Sequence, residues 1–325
     1  MSIKDQVLEV LEQNRDTDIS GQEIADRLGI SRNSVWKAIT ALRSEGYSIG
    51  SSTNRGYRFS SCNDILSKQG IELAFEHEHP DLELVVAEEI DSTQDEAKRM
   101  ISRGFRGTAA VVAGRQSGGH GRRGREFFSP EGGVYASIIM RNDSPTADAV
   151  LITMAAAVAT SRAISKTCIS KPEIKWVNDI YVGGKKVCGI LTEGITNLEA
   201  GTIQDVIVGI GVNVGEQEFP EQIAERAGYV ELEEGCTRND LVAAIIEDVL
   251  ELSTLDGGVG ESRREAIAED YRRLSFVPGM DIEYEANGIV KHAHAVDIDD
   301  WGGLVVEDSA GDRSTLRAGE ISIRF

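Results

Sequence analysis

The sequence predicts an α+β chain of three modules, and three observations carry that expectation. Apolar residues recur at helical spacing through the first sixty residues, strand and helix patterns alternate from 64 to 274, and short alternating runs between glycine turns fill the last fifty. At roughly 100–200 residues per domain, 325 residues suffice for two or three domains with a large core. The boundaries read from the chain are 1–62, 63–274 and 275–325.

Composition narrows the class. Apolar residues make up 41% and charged residues 27%, as in ordinary globular proteins and unlike disordered or collagenous ones. No run approaches the roughly 20 apolar residues of a membrane span. Met1-Ser2-Ile3-Lys4-Asp5 opens straight into an amphipathic pattern instead of a secretory signal, so a cytoplasmic protein with no membrane partner is expected. Cys62, Cys168, Cys188 and Cys236 form no C-x-x-C pair, which predicts idle thiols in place of a zinc ribbon or disulfide framework. The net charge is −20, with 10 Lys against 24 Arg. Excess acid with scarce lysine fits a surface that stays hydrated in concentrated salt, a halophilic source; acidity for solubility explains it equally well. Residues 1–60 hold 8 basic and 8 acidic side chains, so the whole imbalance lies beyond them.

In the first module Ile3, Val7, Leu8, Val10 and Leu11 define a helix. Ser20-Gly21-Gln22-Glu23 is a capping-box pattern opening a second helix that ends near Gly29. Ser31 caps a third helix through Gly46, with Val35, Ala38, Ile39 and Leu42 facing inward. The short connection between the last two is that of a helix-turn-helix. Arg32, Asn33, Trp36, Lys37, Thr40, Arg43 and Ser44 lie on or flank the outer face, where they can reach phosphates and base edges in a major groove. A hairpin around Thr53-Asn54-Arg55-Gly56 adds a wing tipped with Arg55. A three-helix packing module with a solvated face fits the same pattern.

In the second module 82–90 reads as a strand, Asp91-Ser92-Thr93 as a helix cap, and Thr108 to Gly114 as a buried strand. There follows Arg115-Gln116-Ser117-Gly118-Gly119-His120-Gly121-Arg122-Arg123-Gly124-Arg125, with four arginines in eleven residues of an otherwise acidic region. Gly119-x-Gly121-x-x-Gly124 matches a dinucleotide fingerprint formally. The fingerprint needs a helix next, and Ser129-Pro130-Glu131-Gly132-Gly133 cannot start one, so a Rossmann site is excluded. What remains is either a solvated loop or one whose glycines allow close backbone approach while guanidiniums grip phosphate. Ala147 to Ile164 is an apolar helix assigned to the core because Asp148 and Arg162 interrupt it. Residues 173–182 read as one strand, and Gly183-Gly184 turns it into Lys185 to Leu191, which brings Lys175 and Asp179 near Lys186. Such charges in an apolar sheet must be paired or serve a ligand. Another strand, 206–214, carries Gly209, Gly211 and Asn213. His77 with His79 and His292 with His294 each place two imidazoles on one strand face, without a third ligand that would make a metal site. In the tail, about five strands suggest a small SH3-like barrel.

Taken in order, these segments resemble the bifunctional biotin-protein ligase and biotin-operon repressor family. Asp91-Ser92-Thr93-Gln94 is similar to its S-S-T-N element, Gly119 to Arg125 to its G-R-G-R-R-G-R loop, and Lys175-Trp176-Val177-Asn178-Asp179 to K-W-P-N-D. Lys186-Val187-Cys188-Gly189-Ile190-Leu191 is similar to K-L-A-G-I-L and Gly209 to Asn213 to G-x-G-x-N. The resemblance implies a central ligase-type catalytic domain with a mixed sheet that forms biotinyl-5'-AMP from biotin and ATP with Mg²⁺. It then transfers biotin to a lysine of a biotin carboxyl carrier protein, while the first module binds operator DNA. It also implies a homodimer. By resemblance, Lys186, Arg122 and Lys175 are catalytic. Ser92, Thr93, Gln94, Gln116, Gly119, His120, Gly121, Arg122, Lys186 and Gly189 would contact biotin. Arg122, Arg125, Phe127, Lys175, Asn178, Asp179 and Asn213 would face the nucleotide, Phe127 against adenine and Asp179 through the metal. His120 and Val177 depart from the family pattern, where an arginine and a proline stand, which bears on loop closure and adenylate retention. Alternatives are a lipoate-protein ligase and a biotin-sensing transcription factor without turnover.

Overall fold

The computed structural model describes residues 1–52, 55–141, 149–197, 202–253, 261–286, 288–317, 319 and 321–323. Thr53 and Asn54 of the expected wing tip, Ala147 and Asp148 of the expected core helix and Asn287 of an expected turn lie outside them. The chain forms two compact units, 1–78 with 233–243, and 79–232 with 244–325.

The first unit contains α1 (Ile3–Glu12), β1 (Asp18–Ile19), α2 (Gly21–Leu28), α3 (Arg32–Ser44), β2 (Ile49–Ser52), β3 (Gly56–Phe59) and α4 (Lys68–Ala74). Each of the first three helices starts on a serine whose hydroxyl accepts an otherwise orphaned backbone N–H: Ser2 from Asp5, Ser20 from Glu23 and Ser31 from Ser34. Ser20 caps as expected, but Glu23 turns to Arg27 at 2.7 Å. Val7, Leu11, Ile24, Val35, Ile39, Leu42 and Phe59 close a core from which water is excluded. The wing has an unforeseen third strand, β1, which pairs with β3 through Ile19 and Tyr57. Gly56 permits that pairing. Its φ is +98°, and a Cβ there would stand 2.2 Å from the Ile19 carbonyl oxygen. Gly56→Ala is expected to destabilise this unit by about 2 kcal/mol or more, from left-handed strain plus the clash. Thermal denaturation checks it, and an unchanged midpoint would contradict the register.

The second unit is built on a seven-stranded sheet of order β4-β5-β6-β10-β9-β8-β7. Its strands are β4 (Leu82–Ala87), β5 (Thr108–Ala113), β6 (Val134–Arg141), β7 (Glu173–Lys175), β8 (Asp179–Val182), β9 (Lys185–Asn197) and β10 (Thr202–Val212). β4 and β5 are parallel, joined by α5 (Thr93–Ser102) as the crossover that parallel strands require; the other neighbours are antiparallel. α5 lays Ala97 and Ile101 against Ala109, Val111, Ile139 and Ile207. α6 (Ala149–Thr167) packs against β9 and is buried along most of its length, with Arg162, Ser165 and Lys166 exposed, as befits a core helix. α7 (Glu221–Ala224), α8 (Arg238–Ser253), which starts in the first unit, and α9 (Glu261–Leu274) complete the helices. β11 (Asp281–Ala286), β12 (Ile289–Ile298), β13 (Leu304–Glu307), β14 (Arg313–Leu316) and β15 (Ile321–Ile323) form an antiparallel sheet of order β14-β13-β12-β11-β15, consistent with the SH3-like expectation.

Several readings need correction. The strand expected over 173–182 is two strands, because the chain reverses at Trp176-Val177-Asn178. Buried Trp176 donates its indole N–H to the Gly302 carbonyl at 2.8 Å, and the Tyr271 hydroxyl donates to the Val177 carbonyl at 2.9 Å. These anchors pull the segment out of extended pairing. Residues 77–79 form no strand, and the β4 strand ends at Ala87, short of Ile90. His79 lies 3.2 Å from Glu247, whereas His292 and His294 pair with Glu283 and Asp281 across β11 and β12. Among the described residues no group of three or more His, Cys, Asp or Glu side chains is placed to hold a metal.

Candidate functional site

A cavity of about 400 Å³ opens over the glycine-bearing stretches of β9 and β10. Its wall gathers Ser92, Thr93 and Gln94 from the start of α5, Gln116 and the 120–128 loop, the 175–179 turn, Lys186 and Gly189 of β9, and Gly209, Gly211 and Asn213. Every residue expected to touch biotin or nucleotide lines it except Gly119, which lies behind the wall. A Cβ at Gly119 would stand 2.5 Å from Ser129 Oγ and 2.8 Å from Gln116 Nε2.

One end is neutral and bristles with hydrogen-bonding groups. Ser92 caps α5, which fixes Thr93 and Gln94 at the helix start. Gln116 Oε1 accepts from the Thr93 backbone N–H at 2.8 Å and from its hydroxyl at 3.1 Å, while Gln116 Nε2 donates to Ser129 Oγ. Ser137 Oγ stands 2.9 Å from both Thr93 Oγ1 and Gln94 Oε1. Asp91 holds this corner from outside, forked onto Arg99 at 2.7 and 2.8 Å. The hydrogen bonds from Arg99 and the Ser92 N–H bring its carboxyl down to about 2.

The other end is cationic. Arg122, Arg125, Lys175, Lys186 and Arg226 line it against the carboxylates Glu126 and Asp179, so a chain of net charge −20 offers an anion a positive pocket. Lys186 Nζ lies 2.6 Å from Asp179 Oδ1, both side chains half-buried. Gly183 and Gly184, at φ 57° and 77°, make the two-residue turn that puts β8 and β9 in this register. Lys175 Nζ stands 5.8 Å over the Tyr181 ring. Burial and the Asp179 charge push the Tyr181 hydroxyl up to about 12. Asn178 donates to the Ile190 carbonyl at 2.7 Å and accepts from Arg122 Nη1 at 3.3 Å. Arg122 also reaches the Gly319 carbonyl at 3.4 Å. Asn213 is buried; its amide donates to Gly228 O at 2.8 Å, yet its Oδ1 has no hydrogen-bond partner, an acceptor held open in the wall.

The arginine loop folds as one turn of 3₁₀ helix at Arg122–Gly124. Arg123 adopts a left-handed φ of 58°, a conformation costing roughly 1–2 kcal/mol outside glycine. Hydrogen bonds from Gly121 N–H to Arg125 O at 2.7 Å and from Phe127 N–H to Gly119 O at 2.9 Å hold it. His120 lies 3.8 Å from Asp95. Phe127 lies on the sheet itself. A Cβ at Gly211 would be 2.5 Å from its ring and one at Gly189 would be 3.0 Å away, with Tyr135 edge-on at 6.4 Å between centroids. The ring occupies the middle of the trough.

Ser129, Ser137, Arg226 and the barrel residues Gly319, Ile321 and Ser322 also belong to the site and were not foreseen. Ser137 had a faint signal as the sole polar side chain in the apolar run Val134–Met140 that is not aromatic; Gly319 had none. In the first unit, Arg32, Asn33, Trp36, Lys37 and Thr40 are exposed on α3, Trp36 at 56%, and Arg55 is exposed at the wing. Arg43, which flanks them, is exposed as well, and it is tied to the wing: its Nε donates to Ile49 O at 2.9 Å and its guanidinium lies 5.9 Å over Tyr57.

Comparison with known proteins fits this geometry. Residues 86–213 match the biotin/lipoate A/B protein ligase family and residues 4–58 match a helix-turn-helix domain family. The bifunctional ligase/repressor BirA of Bacillus subtilis is 36% identical over 229 residues, 70% of each chain. The chain belongs to the bifunctional biotin-protein ligase and repressor family. BirA of Escherichia coli is 28% identical across 94% of this chain and 92% of its own. The Aquifex aeolicus biotin protein ligase, solved with biotin and ATP, superimposes with a TM-score of 0.62 at 27% identity, covering 74% of this chain and 98% of that one. Family membership makes the protein an enzyme of the ligase class with a helix-turn-helix module.

Burial strongly raises the Cys188 thiol, so it stays protonated in the wall of the site. Thiol labelling of the native protein is expected to modify exposed Cys62 first and to reach Cys168 and Cys188 only on unfolding. Prompt labelling of Cys188 would contradict the packing of β9.

Proposed function

We propose that the cavity joins biotin to AMP and then passes biotin to a lysine of a carrier protein. The observation that supports this most is the two-ended trough, neutral and hydrogen-bonding at Thr93, Gln94 and Gln116, cationic at Lys186 and Arg122. A ureido ring suits the first end and a carboxylate meeting a phosphate suits the second. Lys186 orients the biotin carboxylate, whose oxygen attacks the α-phosphorus of ATP as the bond to the β-phosphate breaks and pyrophosphate leaves. The charge developing there is what Lys186 and Arg122 stabilise. The carrier lysine, as free amine, then attacks the acyl carbon; AMP departs and the amine gives up a proton. Arg122 and the 120–128 loop cover the mixed anhydride and keep water away. Phe127 has to leave the middle of the trough for ligand to enter, and against adenine is its proposed new place. Lys175, Arg125, Asn178 and Asn213 face the nucleotide, where the open Asn213 Oδ1 suits an amino N–H. Mg²⁺ would supply charge neutralisation on the phosphates. The donors fit an ion carried in by nucleotide, since that end offers only the carboxylates Glu126 and Asp179 and no group of three ligands among the described residues.

For the first unit we propose operator recognition by Arg32, Asn33, Trp36, Lys37, Thr40 and Arg55, with a homodimer placing two recognition helices on one site. A cytoplasmic location and the module boundaries 1–62, 63–274 and 275–325 belong to the same reading.

The purified protein is expected to label a carrier domain with biotin and not with lipoate; labelling with lipoate alone would overturn the assignment. Arg122→Ala is expected to release adenylate into solution and to slow its formation on the order of 10²-fold, read by release of labelled biotinyl-AMP. In a band-shift on a biotin-gene promoter, Lys37→Ala is expected to weaken binding and flatten the salt dependence by about one unit of slope. No shift by the unaltered protein at any salt would end the repressor proposal.

A further inference from the structure

We propose that Glu193, neutralised by Lys98, is a positioning residue that fixes the Gln94 amide with its oxygen toward the pocket, so that the wall accepts a ring N–H. The inference rests on the biotin reading above and deepens it, because it names what sets selectivity at the neutral end.

An amide side chain has nearly the same shape in either orientation, so a neighbour must choose which end faces the ligand. Glu193 makes that choice. It sits on β9 opposite Ile207, outside the cavity wall, and its Oε2 lies 2.8 Å from Gln94 Nε2. An ionised carboxylate only accepts, so the amide must turn its NH₂ to Glu193 and its oxygen to Ser137. The fit is close, since a Cβ on Gly209 would stand 2.6 Å from Gln94 Oε1. Lys98, one helical turn beyond Gln94 on α5, holds Glu193 at 2.8 Å. Burial would raise the Glu193 carboxyl, but hydrogen bonds from Lys98 and Gln94, with the charges of Lys98 and His120, outweigh it and hold the group below its ordinary value. Asp95, 3.7 Å from Lys98 and 3.8 Å from His120, is a further carboxylate at this corner, besides Asp91.

The proton count at the wall follows. The Thr93 hydroxyl proton goes to Gln116 Oε1. Ser137 then has one proton for two acceptors, Thr93 Oγ1 and Gln94 Oε1, each 2.9 Å away. Whichever way it points, one acceptor at this wall is left for a donor from the ligand. A ureido ring brings N–H groups and a dithiolane ring brings none. With Glu193 replaced by an amide, Gln94 can turn its NH₂ inward and the surplus acceptor disappears.

The test compares biotin with biotin methylated on a ureido nitrogen, measuring adenylate formation by the full chain. Glu193→Gln is expected to raise KM for biotin about tenfold, one hydrogen bond's worth, with kcat within about twofold. The preference for biotin over the methylated analogue should fall by a similar factor. Glu193→Asp, which keeps the carboxylate, should restore part of that preference, and Lys98→Ala should move both readouts the same way by less, including where Glu193→Gln does not fold. Equal changes for the two ligands in Glu193→Gln or Lys98→Ala, or no change, would overturn the proposal. Failure of the unaltered protein to adenylate biotin would instead overturn the functional reading, so the two failures are distinguishable.

Discussion

The ion pair between Lys186 and Asp179 is the constraint around which the pocket is arranged. At 2.6 Å, with side chains 34% and 24% exposed, it is too wet to add much more than about 1 kcal/mol to stability. Its consequence is positional. An ammonium on a long, flexible stem is held at one point over the sheet, in a chain whose overall charge would otherwise repel an anionic ligand. Asp179 also moderates the pocket, because an arriving carboxylate or phosphate must share Lys186 with it. The double-glycine turn, the reversal at Trp176–Asn178 and the anchors from Tyr271 and Gly302 all serve to keep β7, β8 and β9 in the register that makes this contact.

Glycines shape the rest. Gly189, Gly209 and Gly211 have no side chain because the space above them is taken by Lys186, Gln94 and Phe127. The same bareness that lets Phe127 rest on the strands leaves a trough once it departs. The arginine loop is pinned at its base, where Ser117 and Gly118 donate to Ile90 and Asp91, and is crossed by only a few bonds near its tip. A cover built this way can move without disturbing α5.

Much of this was legible in the sequence. Serine caps, periodic apolar faces and the Gly183-Gly184 turn are local signals, and they located the helices and the hairpin that bears Lys186. The ordered motifs placed the expected site residues on the cavity wall, Gly119 excepted, but gave no sign of Tyr135, Ser137, Phe219, Arg226 or Ser322 there. What stayed hidden depends on contacts between distant residues. The single strand read over 173–182 breaks because of Trp176, whose partner lies 126 residues away. Arg43 was read as flanking the outer face and is exposed there, but its ties to Ile49 and Tyr57 depend on the wing packing. Phe127 was read against adenine, and its resting place on Gly211 could not be inferred without the sheet register. Glu193 lies beyond the strand read to Leu191, and only the β9 register brings it to Gln94.

The central claim is that Lys186 and its neighbours form a preorganised seat for an acyl-phosphate anion. Calorimetric titration of a non-hydrolysable sulfamoyl mimic of biotinyl-AMP into the unaltered protein and Lys186→Ala tests it most directly. The structure predicts binding weaker by on the order of a hundredfold in the variant, with the fold retained. Equal affinity in the two proteins would contradict it.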